Sequence, residues 1–359
     1  MSESSFIPET YKNLPEGGDF HWQAPSNIAL VKYWGKHGEQ LPQNSSISFT
    51  LSKCFTETKL QFERKISSNF QFEVFLDGKR EQSFEPKIHQ FFKRIETYLP
   101  FLKDYTFAIH TANSFPHSSG IASSASGMSA LSLCLMSLEK AIFQDDVEDS
   151  LFNRKASFLA RLGSGSACRS TGGQLMVWGE HPAVQNSSDL FGVEYPHSVH
   201  KNFSNYRDCI LLVDKGEKQV SSSVGHNLMH NHPYAKKRFE TANSNIGRMV
   251  KILADGDLPA FIEVVESEAL QLHAMMMTSL PYFILMKPNS LEIINRIWQF
   301  RKDTGSAVCF TLDAGANVHV LYPEAEEETT FNFIESELLQ FCRNREYIAD
   351  HLGAGPIQL

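Results

Sequence analysis

Two lysines near the start of the chain are spaced so that they could handle negative charge. In the stretch APSNIALVKYWGK, Lys32 and Lys36 lie four residues apart with Tyr33 between them, and Asn27 comes five residues before Lys32. A lysine held in a pocket can neutralise a phosphate or a developing oxyanion. A lysine beside aromatic residues can also be a surface side chain that lays its methylene groups over the rings. The stretch alone leaves both interpretations open.

A glycine-bearing turn, GSGSACRS, offers a second set of polar groups. Ser164 and Ser166 alternate with glycines that allow a close backbone approach, and Arg169 follows with a planar fork of donors. Such a fork suits a carboxylate or a phosphate, which it can bind through two parallel hydrogen bonds. The structural alternative is an arginine that pairs with a neighbouring carboxylate after a helix end.

An acidic residue and a further group of hydroxyls lie in the second half of the chain. Asp313 ends an apolar strand pattern in FTLDAGANVHVL. An acid at such a position often only forms a turn with its own backbone. A buried carboxylate that faces a basic pocket instead stays ionised and can act on a substrate hydroxyl. Ser222, in VSSSVGHN, is either a helix N-cap or part of a wall around an anion.

The segment FPHSSGIASSASG, residues 115–127, precedes an apolar, alanine-rich stretch whose spacing predicts a buried helix. Gly120 and a run of serine and alanine stand where that helix begins, so unpaired backbone N–H groups and the positive end of a helix dipole are presented there. Such a helix start binds phosphate. A simple turn and cap before a core helix would use the same residues, so the segment needs support from elsewhere.

The composition narrows the classes of function. With 359 residues, a formal net charge of -8 and a pI near 6.0, the chain lacks the basic footprint of a nucleic-acid or membrane-surface protein. The 14 histidines have no metal-ligand spacing, and the run HNLMHNH at 226–232 is interpreted as a solvated helix face. Six widely spaced cysteines indicate reduced, mostly buried thiols, and the first residues do not form a signal peptide. We therefore expect a soluble cytoplasmic protein.

Hydrophobic patterning predicts an α+β chain with an N-terminal extension at 1–20, a first domain at 21–200 and a second domain at 201–359. The extension is expected to wrap loosely over the surface, with order beginning near Trp22.

Individual elements follow from the same patterning. Short strands joined by loops are predicted before residue 53. The alternation from Thr56 to Phe84, with Asp77 and Gly78 at a turn, predicts a half-buried antiparallel hairpin. Other predicted elements are helices at 86–99 and 147–162, a strand at 105–112, three helices across 221–303 and a closing helix near 330–344.

Taken together, five separated stretches resemble the GHMP family of small-molecule kinases and, within it, the mevalonate diphosphate decarboxylases. They are APSNIALVKYWGK with LPQNSSISFTLS, NSFPHSSGIASSASG, ARLGSGSACRS, the VSSS segment with HAMMMTSLP, and TLDAGANVHVL. They occur in family order over nearly the whole folded chain. The resemblance implies a GHMP kinase fold, with an N-terminal domain like ribosomal protein S5 domain 2, a C-terminal α+β domain and the site between them. It also suggests a homodimer.

The resemblance further implies that ATP and Mg²⁺ are the cofactors, with the ATP phosphates on the 115–127 loop. Mg²⁺ would be held mainly by the nucleotide, with Ser123 or Ser124 addressing it, rather than by a dedicated protein site. The residues implied for ATP binding are Asn113, Ser118, Ser119, Gly120, Ala122, Ser123 and Ser124.

The substrate implied by the resemblance is 5-diphosphomevalonate, converted to isopentenyl diphosphate with release of ADP, phosphate and CO₂. By motif position, Asp313 orients or deprotonates the 3-hydroxyl group, Lys32 lies close to that aspartate, and Arg169 holds the carboxylate end. The residues implied for substrate binding are Asn27, Tyr33, Lys36, Ser164, Ser166, Arg169 and Ser222.

One departure from the family pattern bears on the substrate. His226 stands where the family usually has Met near the diphosphate, so its imidazole could add a donor there or indicate a monophosphate substrate.

Two other functions also stay open. One is a GHMP kinase that phosphorylates a related substrate, such as mevalonate or phosphomevalonate, without decarboxylating it. The other is a catalytically silent binding protein with the same fold.

Overall fold

The computed structural model describes residues 2–11, 13–116, 121–144, 147–214 and 222–359. Over these residues the chain forms two main sheets covered by helices, as the α+β prediction requires. The strands are β1 (Gly17–Val31), β2 (Lys36–His37), β3 (Leu41–Pro42), β4 (Ser46–Arg64), β5 (Gln71–Leu76), β6 (Lys79–Arg80), β7 (Tyr105–Asn113), β8 (Leu175–Trp178), β9 (Val193–Glu194), β10 (Arg207–Leu211), β11 (Cys309–Thr311), β12 (Val318–Tyr322), β13 (Tyr347–His351) and β14 (Ile357–Gln358). The helices are α1 (Glu85–Ile95), α2 (Ser123–Ile142), α3 (Asp149–Gly163), α4 (Ser222–Asn227), α5 (Ala235–Asp255), α6 (Leu258–Met277), α7 (Pro288–Thr304) and α8 (Glu327–Phe333).

The first sheet has the order β14-β1-β4-β7-β5-β6, with β8 and β9 attached beside β4. Strand β4 runs antiparallel to both β1 and β7, whereas β5 runs parallel to β7. Helix α2 packs against β1 and β4 and is covered in turn by α3. Because α2 is buried between two layers, its residues are apolar or small around most of its circumference, with serine as the main polar type.

The second sheet has the order β11-β12-β10-β13, and α6 packs against both β11 and α5. One apolar core crosses from the first sheet into these helices and includes Ile28, Phe49, Ile246 and Phe261. This shared core holds the two halves of the chain against each other, so the residues around Lys32, Arg169 and Asp313 where the halves meet, called the cleft below, have well-defined positions.

Strand β1 leaves regular pairing before it reaches the cleft. Its register with β4 shifts between Pro25 and Asn27 and again between Ala29 and Val31. Bulges of this kind turn a strand and re-aim its side chains. Lys32 is the first residue beyond the strand, so these irregularities help to determine where it points.

The predicted hairpin from Thr56 to Phe84 is wrong in its pairing. The residues ETKLQFER belong to β4, and β7 lies between β4 and β5. Only the turn at Asp77 and Gly78 is a hairpin; it joins β5 to β6, and its two residues have positive φ values of 49° and 77°. Two-residue turns with that geometry connect antiparallel strands. Alternation indicates which face of a strand is buried, but it does not identify the neighbouring strand.

The N-terminal extension is also more ordered than expected. Phe6 is buried and stacks on Phe158 with ring centroids 4.5 Å apart, and the Tyr11 hydroxyl donates to Glu139 at 2.9 Å. Strand β1 already begins at Gly17. Two aromatic anchors in a short polar segment are sufficient to attach it to the core.

The remaining elements agree with the sequence in most places. The predicted helices correspond to α1, α3 and the set α5 to α7, to which the structure adds the short α4. The strands joined by loops that were expected before residue 53 are the long β1, the short β2 and β3, and the start of the long β4. The predicted closing helix is broken, because α8 ends at Phe333 and continues as a π turn and a 3-10 turn to Phe341. Strands β13 and β14 were not predicted.

All six cysteines are buried and unpaired, as predicted. Within the described residues, none of the helices combines the length and the apolar composition that crossing a membrane requires.

Candidate active site

The polar residues singled out from the sequence come from distant elements and meet in the cleft. Asn27 lies near the end of β1 and Lys32 directly after it, Arg169 ends the 3-10 turn Gly165–Arg169, and Asp313 lies just beyond β11. Each segment ends or turns at this point, so its side chains are presented to the same space.

Lys32 and Asp313 form the central contact of the cleft. Nζ of Lys32 donates to Oδ1 of Asp313 at 2.8 Å and to the carbonyl of Ala29 at 2.9 Å. The lysine side chain is only 2% exposed, whereas that of Asp313 is 29% exposed and opens on the cleft. Burial alone would raise the pKa of Asp313, but the Lys32 ammonium, with smaller help from His319 and Arg169, holds that pKa below its ordinary value. The carboxylate is therefore ionised at neutral pH.

The turn that carries Asp313 is fixed through its backbone. Nε2 of His273 donates to the Asp313 carbonyl at 3.1 Å, and the N–H of Gly315 donates to the same oxygen at 2.7 Å. Burial lowers the pKa of His273 to about 4, so the ring is neutral and Nε2 carries its proton. The position of the carboxylate thus depends on a helix, α6, as well as on its own strand.

Arg169 is buried and oriented from two sides. Its Nη1 donates to the Ser46 hydroxyl, and its Nε and Nη2 lie 3.4 and 3.3 Å from Oδ1 of Asn27. Asn27 is held in turn, because its amide donates to the Ser170 hydroxyl at 2.8 Å and to the Ser166 carbonyl at 3.4 Å. No carboxylate neutralises Arg169 among the described residues, so the structural alternative of a simple ion pair is wrong for them.

Tyr33 belongs to a wall of rings beside Arg169. Its ring meets Trp178 edge-on and stacks on His226, with both centroids 4.7 Å away, and the Arg169 guanidinium lies 5.5 Å from its centroid. Gly165 is needed opposite this wall, because a Cβ there would lie 2.9 Å from the Tyr33 oxygen. Burial raises the pKa of Tyr33, so its phenol stays protonated.

Lys36 lies with the nearby Arg94 and Lys87 in a positively charged corner. This corner is next to the ring wall of Tyr33, Trp178 and His226. Nζ of Lys36 donates to Oε1 of Gln40 at 2.5 Å. Burial, together with the nearby cations Arg94 and Lys87, lowers the pKa of Lys36 to about 8. Because an ammonium crowded by other cations gains from an anionic neighbour, this corner suits phosphate groups.

The start of α2 faces the cleft from the first sheet. Ser123 and Ser124 begin the helix after Ala122, whose φ of 49° lies in the left-handed region. The hydroxyls of Ser124 and Ser164 are 3.4 Å apart, so the helix start adjoins the glycine-bearing turn. The predicted phosphate-binding residues Ser118, Ser119 and Gly120 lie outside the described residues, as does the side chain of Ser222.

A cavity of about 250 Å³ continues from this helix start along the sheet. Three of the residues predicted for ATP binding line it, namely Asn113, Ser123 and Ser124. The sequence reasoning missed the rest of the lining, which includes Thr58, Thr111, Lys87, Gly127, Met128 and Leu131. Threonines at alternate positions of β4 and β7 are a weak signal of a polar floor, but alternation is typical of any half-buried strand.

The interpretation of 226–232 as a solvated helix face is wrong for two of its histidines. His226 is 4% exposed and His232 is 8% exposed. Nδ1 of His226 accepts the N–H of Gly35 at 2.9 Å, and its ring lies 4.3 Å from that of Trp34. Burial, reinforced by Lys36, holds the pKa of His226 well below its ordinary value, so the ring is neutral and its proton is on Nε2.

This geometry has a definite chemical capacity. An ionised carboxylate next to a lysine can orient a hydroxyl group and accept its proton, and a buried guanidinium can bind a second anionic group. In the described part of the chain, no three His, Cys, Asp or Glu side chains are grouped so that they could hold a metal ion.

Two family models match the two halves of the chain. The family model for a diphosphomevalonate decarboxylase-like N-terminal domain matches residues 24–189, and that for a mevalonate 5-diphosphate decarboxylase C-terminal domain matches residues 209–353. The diphosphomevalonate decarboxylase of Saccharomyces cerevisiae is 32% identical over 327 residues, which cover 87% of this chain and 79% of the yeast protein.

Solved structures resemble the whole fold. MDDEF in complex with MVAPP, AMPPCP and magnesium has a TM-score of 0.80 at 26% identity, covering 95% of this chain and 98% of the other. The mevalonate diphosphate decarboxylase from Staphylococcus aureus has a TM-score of 0.79 at 27% identity with the same coverage. These similarities confirm the predicted GHMP-type fold. The chain belongs to the mevalonate diphosphate decarboxylase family.

Proposed function

We propose that this protein converts 5-diphosphomevalonate and ATP to isopentenyl diphosphate, ADP, phosphate and CO₂. The observation that carries the proposal is the Lys32–Asp313 pair at 2.8 Å, with its carboxylate open to a cleft that also contains Arg169. Support comes from the family, whose members are named for this decarboxylation, and from a related protein that binds both MVAPP and an ATP analogue with magnesium.

In this proposal Asp313 orients the 3-hydroxyl group of the substrate and accepts its proton as the oxygen attacks the γ-phosphorus of ATP. A carboxylate with a lowered pKa is a weak base. A weak base is sufficient for a loose phosphoryl-transfer transition state, because little bonding to the nucleophile has formed when the phosphoryl group departs. The gain comes mainly from positioning, which the backbone anchors of Asp313 provide.

Lys32 stabilises charge on the transferring group. Two of its three N–H bonds point to acceptors among the described residues, Asp313 and the Ala29 carbonyl, which leaves the third for a phosphoryl oxygen. Mg²⁺ bound with ATP would supply further positive charge. The hydroxyls of Ser123 and Ser124 suit a magnesium ion that takes most of its ligands from phosphate and water, because magnesium prefers hard oxygen donors.

Arg169 binds the substrate carboxylate, oriented by Asn27 and Ser46. Once the 3-hydroxyl carries a phosphoryl group, the C–O bond breaks and phosphate leaves. The electrons of the bond to the carboxylate then form the double bond, and CO₂ departs. Holding the carboxylate in a buried site keeps that bond aligned with the breaking C–O bond.

The diphosphate lies in the positive corner formed by Lys36 and the Tyr33 wall, and the hydroxyls of Ser164 and Ser166 complete its surroundings. Contact with Ser222, whose side chain lies outside the described residues, stays a prediction. The nucleotide occupies the cavity that begins at Ser123 and Ser124.

We also retain the homodimeric state and the cytoplasmic location as predictions.

The test is a coupled assay of ADP and CO₂ with ATP, Mg²⁺ and either 5-diphosphomevalonate or 5-phosphomevalonate. We expect equal amounts of ADP and CO₂ from the diphosphate. Release of ADP without CO₂ would establish a kinase instead, and absence of both products and of ATP binding would favour the catalytically silent binding protein.

The cavity yields a prediction about the nucleotide. Gly127→Leu places a large side chain in the cavity. We expect it to weaken ATP binding by about tenfold or more, because the leucine side chain would occupy space that the nucleotide needs. A Cβ at Gly127 meets only Thr56 Cγ2, at 4.0 Å, so the first carbon of an added side chain has room there. Calorimetric titration with ATP measures the effect, and Gly127→Ala, which adds one carbon atom, is the matched control. Equal ATP affinity in all three proteins would place the nucleotide elsewhere.

His226 yields a prediction about substrate preference. Its neutral ring anchors the N–H of Gly35, next to Lys36, so His226→Met should loosen this corner and raise KM for the diphosphate substrate by about three- to tenfold, the value of one hydrogen bond. We expect kcat, KM for ATP and the preference for diphosphate over monophosphate to be retained, because Lys36 supplies the charge. Steady-state kinetics with both substrates measures this, and a reversed preference would assign the choice of substrate to His226.

A further inference from the structure

The polypeptide at Lys32 is held by an ion pair that no sequence motif indicated. Arg238 on α5 and Glu268 on α6 are 4% and 0% exposed, and their contacts are 2.5 and 3.0 Å long. Removing two charges from water is costly, so such a pair adds little stability unless its remaining polar atoms are satisfied.

Most of those atoms have partners on or next to Lys32, and within the pair only Nε of Arg238 is left without a hydrogen-bond partner among the described residues. The Lys32 N–H donates to Oε2 of Glu268 at 2.9 Å, and Nη2 of Arg238 donates to the Lys32 carbonyl at 3.0 Å. Asn44 donates to the same carbonyl at 3.0 Å, and Asn245 donates to Oε1 of Glu268 at 2.8 Å. Lys32 is the first residue after β1. Its backbone N–H is therefore held by Glu268 of α6, and its carbonyl by Arg238 of α5.

Helix α6 holds the other partner as well. Its His273 donates to the Asp313 carbonyl at 3.1 Å. Glu268 and His273 are five residues apart, which is about 7.5 Å along a helix. One rigid helix therefore fixes the backbone of Lys32 through Glu268 and that of Asp313 through His273.

We propose that Arg238 and Glu268 are positioning residues that set the Lys32 ammonium against the Asp313 carboxylate. The inference rests on the proposed function, because the pair acts on the reaction only through these two residues. It assigns α5 and α6 a part in catalysis, although neither residue touches Asp313.

The positioning role has a signature in the pH dependence of kcat. The charged and titratable groups that act on Asp313 are Lys32, Arg169, His319, Asp208, Tyr33 and His273. Of these, Tyr33 and His273 are neutral. Lys32 contributes the largest favourable interaction with the Asp313 carboxylate. If Lys32 moves away, burial still acts on Asp313, so the pKa of Asp313 rises. The acid limb of the kcat profile, where kcat falls as Asp313 becomes protonated, then moves to higher pH.

The experiment replaces the pair without leaving an unpaired charge, as Arg238→Met with Glu268→Met in the full chain. Apolar replacement of a buried ion pair often preserves stability, so a merely structural pair would leave kcat unchanged. We expect kcat to fall by about 10²-fold, the usual effect of misplacing a catalytic group by an ångström, with the acid limb shifted upward and ATP affinity retained.

The matched control is Glu139→Met with Lys155→Met. This buried pair joins α2 and α3 with a 2.6 Å contact, away from the cleft, so its replacement should leave kcat and the pH profile within about twofold of wild type. Asn245→Ala is a milder second variant that removes one bond to Glu268 and should shift both quantities in the same direction by a smaller amount.

A folded double variant with the kcat and acid limb of the wild type would overturn the inference, as would a control pair with the same losses. If the double variant does not fold, an Asn245→Ala protein with an unchanged profile overturns it. A wild-type protein that releases neither ADP nor CO₂ refutes the proposed function itself, which separates the two failures.

Discussion

Asp313→Asn is expected to lower turnover by about 10²- to 10⁴-fold, the range that general acid–base catalysis contributes. Asparagine has nearly the same shape and still offers an oxygen to Lys32, but it cannot take the proton of the 3-hydroxyl group. ATP affinity should remain at the wild-type value, because residues of the first sheet, α1 and α2 line the cavity. Steady-state kcat and calorimetric titration with ATP measure the two quantities.

The matched control for this change is Asp257→Asn. Asp257 caps α6 through a 3.0 Å bond from the N–H of Ala260, and asparagine is an equally good cap. Its turnover should equal that of the wild type. Unchanged turnover in Asp313→Asn would remove Asp313 from the reaction.

Lys32→Met is expected to reduce turnover by about 10²- to 10³-fold, the cost of losing one preorganised donor to a developing charge, and to change its pH dependence. In the wild type the pKa of Asp313 is below its ordinary value of 3.8, so the carboxylate is ionised over the whole neutral range. Without the ammonium, burial is opposed only by the smaller contributions of His319 and Arg169, so the pKa of Asp313 rises. The acid limb of kcat should then appear at higher pH than in the wild type.

Profiles of kcat against pH for Lys32→Met and for Lys59→Met test this sign. Lys59 also pairs with an aspartate, Asp19 at 3.1 Å, but on the exposed face of the sheet, so its loss should leave the profile unchanged. Combining Lys32→Met with Asp313→Asn should cost less than the sum of the two single losses, because the residues act as a unit. An acid limb that stays in place would mean that Lys32 does not control the carboxylate.

The sequence predicted the residues that meet in the cleft better than it predicted what holds them there. Lys32, Arg169 and Asp313 each had a structural alternative when taken alone, and the order of the five family-like stretches singled them out. The residues that hold them, such as Glu268, were not recognisable. A glutamate in the middle of an apolar helix has no local signature, since its partners are a backbone N–H and an arginine on another helix.

Topology was predicted less well than element type, for a related reason. Strand periodicity is a local property, whereas the insertion of β7 between β4 and β5 depends on contacts between distant segments. His226 was misjudged similarly. Its run of polar neighbours suggests exposure, and only the packing of Tyr33 and Trp34 against it makes a buried neutral imidazole favourable.

The short strand β14 affects how the protein is made. Trp22 and Gln23 on β1 pair with residues 357 and 358, so this part of the first sheet can close only after all the intervening chain has left the ribosome. During synthesis, β1 and β4 can already pair, but one edge of β1 stays open to other strands. Until residues 357 and 358 have emerged, the strand that leads to Lys32 therefore carries an unprotected edge, and a bulky group introduced near residue 357 would keep that edge open.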